Sequence, residues 1–331
     1  MILILTMRSD RTADAVEHML ANRGASVVRF DPADFPDRAA CSIRFHRGRG
    51  WQRLIERAGE PPIDLAAVTA AWLRRPGARR SPAALADPRA RDYVLGEWRE
   101  VAAELFATLS CRWLPGCPDL VALHQRKCHP LMLAHDLGFA IPESAFTSRP
   151  ADLFELHRAH AGDIITKLPG STAFPEAFAG SLARYTERVT TRDLGHARDV
   201  RWCPVLVQQN VAKQLEVRVT VVGDRVFAAE IHSQASHRTR QDWRHYDHAH
   251  TRHAVHALPG DVERRCVELT RGLGLCYGAI DLILTPDGDY VFLEINPGGE
   301  YAWIEDLTGL PISDAICDLL MAGRAPAEAA S

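Results

Sequence analysis

A mixed α/β and α+β architecture, with an open α/β unit at the N-terminus, is predicted by three features of the sequence. Residues 1 to about 75 alternate strand and helix patterns. Two later segments, around Gly223-Asp224 and around Pro286-Asp287-Gly288, read as antiparallel hairpins. Separate helical patterns punctuate them, and 331 residues exceed one ordinary core, so two or three domains are expected.

The elements follow in order. "MILILT" is an apolar strand, "RTADAVEHMLANRG" a helix closed by Gly24, and "SVVRFD" a second strand ending at "DPADFP". After the break at Pro61-Pro62, "DLAAVTAAWLRRPG" reads as a further strand. No GxGxxG accompanies this unit, so a dinucleotide site is not supported. Residues 88 to 110 carry Tyr93, Val94, Val101, Leu105 and Leu109 at helical spacing, and "CRWLPGCPD" then reads as a linker. "LVALHQRKCHPLMLAHDLG" is helical, with Pro130 at a start or a kink. A helix over 151 to 161 leads to the strand "DIITKL" and the loop "PGSTAFPEAFAG". "CPVLVQQNV" opens a third unit, which continues through "LEVRVTVVGDRVFAAEIHS" to the closing helix "ISDAICDLLMAG".

Composition excludes more than it selects. A formal net charge of −3 gives no bulk case for nucleic acid or membrane binding, and no run approaches the roughly 20 apolar residues of a membrane span. The eight cysteines form no CxxC pair, so neither a zinc knuckle nor a redox motif is indicated, and reduced thiols in a cytoplasmic protein are the simplest account.

The chemistry concentrates at strand ends. Glu294 and Asn296 lie two apart in "VFLEIN" and so share one face of a strand. In the hairpin with Ala279 to Thr285, Asp281 comes to lie opposite them. Three hard oxygen donors suit Mg²⁺, which keeps several waters and is completed by phosphates; solvated residues on an exposed sheet face are the plain alternative. Lys167 ends an apolar strand and precedes Pro169-Gly170-Ser171, a loop able to turn backbone N–H groups toward an anion; an edge lysine is the alternative. Lys127 stands in a basic helix end. In "LEVRVTVV" the polar residues Glu216, Arg218 and Thr220 alternate with Leu215, Val217, Val219 and Val221, which suits a polar strand face or a cross-strand ion pair.

Taken together, the oxygen-rich hairpin, the Glu-x-Arg strand and two separated lysines resemble the ATP-grasp superfamily across nearly the whole chain. Within it, "RFDPADFP", "AWLRRP", "LEVRVTVVGDRVFAAEI", "DWRHYD" and "INPGGEYAWIE" resemble the graspetide synthetases, the microviridin-type ligases that crosslink side chains of a ribosomal peptide. The resemblance implies an ATP-grasp fold behind a pre-ATP-grasp domain, with residues 1–118 as the N-terminal domain, 119–203 as the central subdomain, 204–325 as the subdomain holding the Mg²⁺ and ATP site, and 326–331 as a frayed tail.

It further implies Asp281, Glu294 and Asn296 as ligands of one or two Mg²⁺ ions, and Lys127, Lys167 and Ser171 on the ATP phosphates. Gln208, Gln209 and Val211 would read adenine from a hinge, and Glu216 would bind ribose. Arg218 would face the transferring phosphoryl group. Residues 232–256 hold seven histidines with Arg238, Arg240, Arg244 and Arg252; their spacings fit no zinc template, a solvated irregular loop is the plain alternative, and the functional reading is a cationic wall whose Arg244 contacts an acidic core peptide. The partner implied is a ribosomal precursor with a leader and an acidic, Thr-rich core, its leader docking on the Glu216–Arg218 hairpin and the neighbouring surface; no nucleic acid or membrane is implied, and a homodimer is compatible. Two other readings stay open: a RimK-like ligase that adds amino acids to a carboxylate, and a nucleotide-responsive peptide-binding protein without turnover.

Overall fold

The structure, a computed structural model, describes residues 1–82, 84–169, 186–235 and 251–323. The chain divides into two compact units. One holds Met1–Val121, Leu275–Tyr277 and the segment from Pro311; the other holds Ala122–Gly274 and Gly278–Leu310.

In the first unit, β1 (Ile2–Thr6) is flanked by β2 (Val27–Phe30) and β6 (Ala70–Arg75), with β7 (Arg112–Leu114) beyond, in a parallel sheet of order β2-β1-β6-β7. All five residues of β1 are buried, as expected for the middle of a parallel sheet. Helix α1 (Arg11–Asn22) starts where the Asp10 carboxylate accepts from the Ala13 amide. It packs on the final helix α9 (Ile312–Met321), and Arg23 bridges Asp314 and Asp318 of that helix. A second sheet, β3 (Ala39–His46), β4 (Gly50–Arg57) and β5 (Ile63–Asp64), is antiparallel. Helix α2 (Pro88–Ala107) has Asp87 as its cap and proline at N1, where no backbone N–H is needed. Its Ala102, Leu105 and Phe106 join Leu3, Leu5, Phe30 and Ile55 in one core.

Three expectations change here. The segment read as a linker contains β7, paired in parallel with β6. The stretch from Asp64 opens with a 3-10 turn over Leu65–Ala67 and becomes a strand only at Ala70. The helix expected from Leu120 is two helices, α3 (Pro118–His124) and α4 (Cys128–Asp136). Pro130 occupies the first turn of α4, and its ring would clash with the carbonyl of residue 126 in a continuous helix.

The second unit contains two antiparallel sheets. β8 (Ser144–Thr147), β9 (Ile164–Lys167), β10 (Glu187–Arg188) and β11 (Val205–Gln209) form the order β10-β9-β11-β8. Helix α5 (Pro150–Ala159) covers one face with Leu153 and Leu156, against Ile164, Val189 and Val207, and the short helix α6 (Thr191–Gly195) starts in a Thr190–Asp193 capping box. The other sheet runs β14-β13-β12-β15-β16, from β12 (Leu215–Val222), β13 (Arg225–Ile231), β14 (His253–Val255), β15 (Tyr277–Leu284) and β16 (Tyr290–Asn296). Helix α7 (Gly260–Gly272) packs on β12, β13 and α4, and α8 (Ala302–Thr308) ends at Gly309 in the left-handed conformation. Both expected hairpins form: Val222 pairs with Arg225 across Gly223-Asp224, and Leu284 with Tyr290 across the turn at Gly288, whose φ of 91° favours glycine.

Candidate active site

The hairpin β15–β16 sets the geometry. Asp281 is the register partner of Glu294 and Ala279 that of Asn296, with a bulge after Asp281. Direct partners project to one face of a sheet, so the two carboxylates stand side by side with the amide one step further on. β12 is the neighbour of β15, and all eight of its residues are buried. Its apolar set faces one way, and its polar set, Glu216, Arg218 and Thr220, is not solvated. The Arg218 Nη1 donates to Asp281 Oδ1 at 2.9 Å, and its Nη2 donates to the Glu300 carbonyl at 3.3 Å. The alternation therefore marks a committed interior face. Glu216 and Arg218 are 6% and 5% exposed, so these two side chains turn inward, whatever the hairpin that carries them binds on its outer surface.

Glu216 meets Lys213, whose Nζ donates to its Oε1 at 2.9 Å. Burial pushes the Glu216 carboxyl above its ordinary range; Lys213 and the Ser233 hydroxyl pull the other way, and Asp281 adds to the rise. Among the described residues its Oε2 is buried with no hydrogen-bond partner of ordinary geometry. A buried acceptor left open beside a cleft is costly unless something polar arrives there. Lys127 precedes α4, and its Nζ donates to Glu294 Oε2 at 2.7 Å.

Glu216, Lys213, Asp281 and Glu294 border an open cleft. Ile165 and Lys167 of β9 line it from one sheet, Glu216, Asp281 and Glu294 from the other, with Gln209, Val211 and Lys213 on the segment joining the sheets. Pro142, Leu282, Ile283 and Leu293 supply apolar surface. Gln208 behaves differently from Gln209. It is 1% exposed, and its amide donates to the Ser144 hydroxyl at 2.8 Å, which donates to the Pro142 carbonyl. Ser171 and Arg244 lie outside the described residues. Sequence reasoning passed over Lys213; the only available signal was its spacing of three before Glu216.

The donor set fits a hard divalent cation: two register-paired carboxylates and an amide oxygen, each carboxylate already drawing a cation toward it. Asn296 Oδ1 accepts from the Gly298 amide at 2.9 Å and keeps a second lone pair. Among the described residues no group of three His, Cys, Asp or Glu side chains is arranged to hold a metal. Two carboxylates are enough for Mg²⁺, which retains water and takes phosphate oxygens.

A cleft lined by Lys167 from one sheet and by the paired carboxylates Asp281 and Glu294 from another is the arrangement of an ATP-grasp ligase, the class to which this chain belongs. Residues 1–119 match the MvdD pre-ATP grasp domain. The macrocyclase MdnB from Microcystis aeruginosa MRC is 31% identical over 97% of this chain and 99% of its own, with a TM-score of 0.80. MdnC from the same organism, solved with the precursor peptide MdnA, is 29% identical over 97% and 99%, with a TM-score of 0.84. A Chryseobacterium gregarium RiPP-associated ATP-grasp ligase, in complex with ADP and a leader and core peptide, is 28% identical over 98% and 97%, with a TM-score of 0.87. No curated protein matches by sequence. The chain belongs to the graspetide synthetases, the family of the microviridin macrocyclases.

Proposed function

We propose that this protein activates Asp or Glu side chains of a ribosomal precursor peptide as acyl phosphates and crosslinks them to Thr or Ser hydroxyls, as esters, or to Lys amines, as amides. The observation that carries the reading is the pair of carboxylates, Asp281 and Glu294, that line the cleft, with Arg218 held against Asp281 from the neighbouring strand, in a chain of this family. The peptide carboxylate attacks the γ-phosphorus of ATP, and ADP leaves. The hydroxyl or amine then attacks the acyl carbon, phosphate departs, and a ring closes.

Lys127 and Lys167 would take phosphate oxygens, and Arg218 would stabilise charge on the equatorial oxygens of the transferring group. Gln209 and Val211 would border the base, and Glu216 would accept from ribose. Asp281, Glu294 and Asn296 would hold one or two Mg²⁺ ions, which neutralise phosphate charge when bound. Arg244 would contact acidic core residues, and Ser171 would donate to a phosphate. Residues 1–118, 119–203 and 204–325 serve as N-terminal, central and metal-bearing parts. Eight free cysteines fit a reducing cytoplasm. Among the described residues, no helix is long and apolar enough to cross a membrane.

The test uses short peptides with repeated Thr and Asp or Glu encoded beside this gene. Incubated with protein, Mg²⁺ and ATP, one should lose the mass of one water per ring and release ADP. Glu294→Gln should abolish both, because a neutral amide offers a metal less charge. Mass gain instead of water loss would favour the amino-acid-adding reading, and nucleotide binding without ADP release would favour a binding protein.

A further inference from the structure

Gly299 is buried, and its surroundings leave no room for a side chain. A Cβ built there would lie 2.3 Å from Ala279 Cβ and 2.8 Å from Arg218 Nη2. The reason is proximity: Gly299 is not among the glycines with positive φ. The backbone after β16 therefore lies flush on β15 and on the guanidinium. Asn296 fixes this course, its Oδ1 taking the Gly298 amide at 2.9 Å and its carbonyl the Gly299 amide at 3.2 Å. The next carbonyl, that of Glu300, accepts from Arg218 Nη2 at 3.3 Å.

We propose that Gly299 is a positioning residue for Arg218: by admitting no side chain it lets the 298–300 backbone close on the guanidinium and fix the fork that faces the transferring phosphoryl group. The inference rests on the phosphoryl-transfer role given to Arg218 above. Asp281, which holds one side of the guanidinium, is also an expected metal ligand, and its charge is shared once a divalent cation is present. The Glu300 carbonyl is not among the expected metal ligands, so its contact can hold Arg218 as the metal-nucleotide complex forms. A planar, multidonor cation gains most from such fixing, because its hydrogen bonds depend on the angle of the fork.

Gly299→Ala alone would mix two effects, the clash with Ala279 and the displacement of Arg218. The double variant Ala279→Gly/Gly299→Ala removes the tightest clash and leaves the conflict with the guanidinium at 2.8 Å and a looser contact with the Asn296 carbonyl at 3.2 Å. It should melt close to the wild type and bind ADP within about twofold of it, yet lose roughly 100-fold in kcat for ADP release, the scale of losing one preorganised donor. In an Arg218→Lys background the same two substitutions should change kcat by less than about twofold, since coupled groups are non-additive. The Arg218 Nε–Hε resonance, assigned by its loss in Arg218→Lys, should shift in the double variant. Wild-type kcat in the double variant, an equal loss in both backgrounds, or an unmoved resonance would each overturn the proposal. ADP release without water loss from any peptide would overturn the substrate reading instead, and the resonance reads Arg218 even without turnover.

Discussion

At the scale of single residues, Glu216 shows what burial does to an ordinary carboxylate at the edge of the cleft. Its folded-state pKa lies above the ordinary 4.5, first because of desolvation and against the pull of Lys213. For a group raised in this way, its contribution to stability is complete below the ordinary value and is lost as pH rises through the folded one. Glu216→Gln cannot lose a proton and escapes that loss. In the absence of nucleotide, its melting temperature should therefore climb relative to the wild type as pH is raised from 4.5; parallel curves would refute the assignment. The same variant should bind ADP about 10-fold more weakly, the range for one hydrogen bond to a charged acceptor. The thiols make a second test. Burial pushes Cys266 up to about 12 and Cys276 up to about 11, whereas Cys128 and Cys203 are exposed. Native protein treated with iodoacetamide near pH 8 should carry label at Cys128 and Cys203 while Cys266 stays unmodified by peptide mapping; early labelling of Cys266 would contradict the packing of α7. Neither Lys213 nor the crowding at Gly299 was legible from sequence, because both depend on what the fold brings within 3 Å and neither perturbs a periodicity.

At the scale of elements, legibility followed pattern strength. The strand-end trio was readable because a two-residue spacing and a turn fix which side chains meet, and Asp281 does face Glu294. The polar face of β12 was readable as a face but not as an interior, since alternation looks the same whether the polar side meets water or a buried cleft. The β3–β4 hairpin was missed because "SIRFHRGRGWQRLIER" interleaves arginines with its apolar residues, and Phe45 and Trp51 pair at a tip that stays exposed. α4 carries the prediction at this scale. Its start places Lys127 on Glu294, as β12 places Arg218 on Asp281, so both carboxylates of the expected metal site meet cations before any phosphate arrives. A divalent ion entering alone must compete with those charges, whereas ATP can draw the lysine onto its own oxygens. Lys127→Met should thus strengthen Mn²⁺ binding to nucleotide-free protein by about tenfold, roughly 1.4 kcal/mol and within the range of one close charge near a protein surface, while weakening ATP. Titration followed by electron paramagnetic resonance would report this, and weaker Mn²⁺ binding in the variant would show that Lys127 supports the metal site.

For the whole molecule, the decisive fact is how the chemistry is divided along the chain. Every described residue assigned to nucleotide or metal, from Lys127 to Asn296, belongs to one compact unit, and the first 118 residues supply none of them. The division was partly visible beforehand, since the N-terminal β-α-β pattern carries neither a glycine fingerprint nor a strand-end donor cluster. That Leu275–Tyr277 and α9 join the first unit was not, because such a return of the chain is decided by packing between distant segments, as between α1 and α9. This division has an energetic consequence. A ligand that binds only the closed site adds RT ln(1 + [L]/Kd) to the cost of any opening that breaks the site, about 2.7 kcal/mol at 100 times Kd, and nothing to openings that leave it intact. With Mg²⁺ and ADP at that excess, amides of β9, β11, β12, β15 and β16 should exchange with deuterium up to about 100-fold more slowly, the same free energy expressed as a rate. Amides of β1, β2 and β6 open with their own sheet and should keep their rates. Equal slowing of both sets in hydrogen-exchange mass spectrometry would show that the units open as one, and slowing in β1, β2 and β6 alone would place the nucleotide outside the cleft.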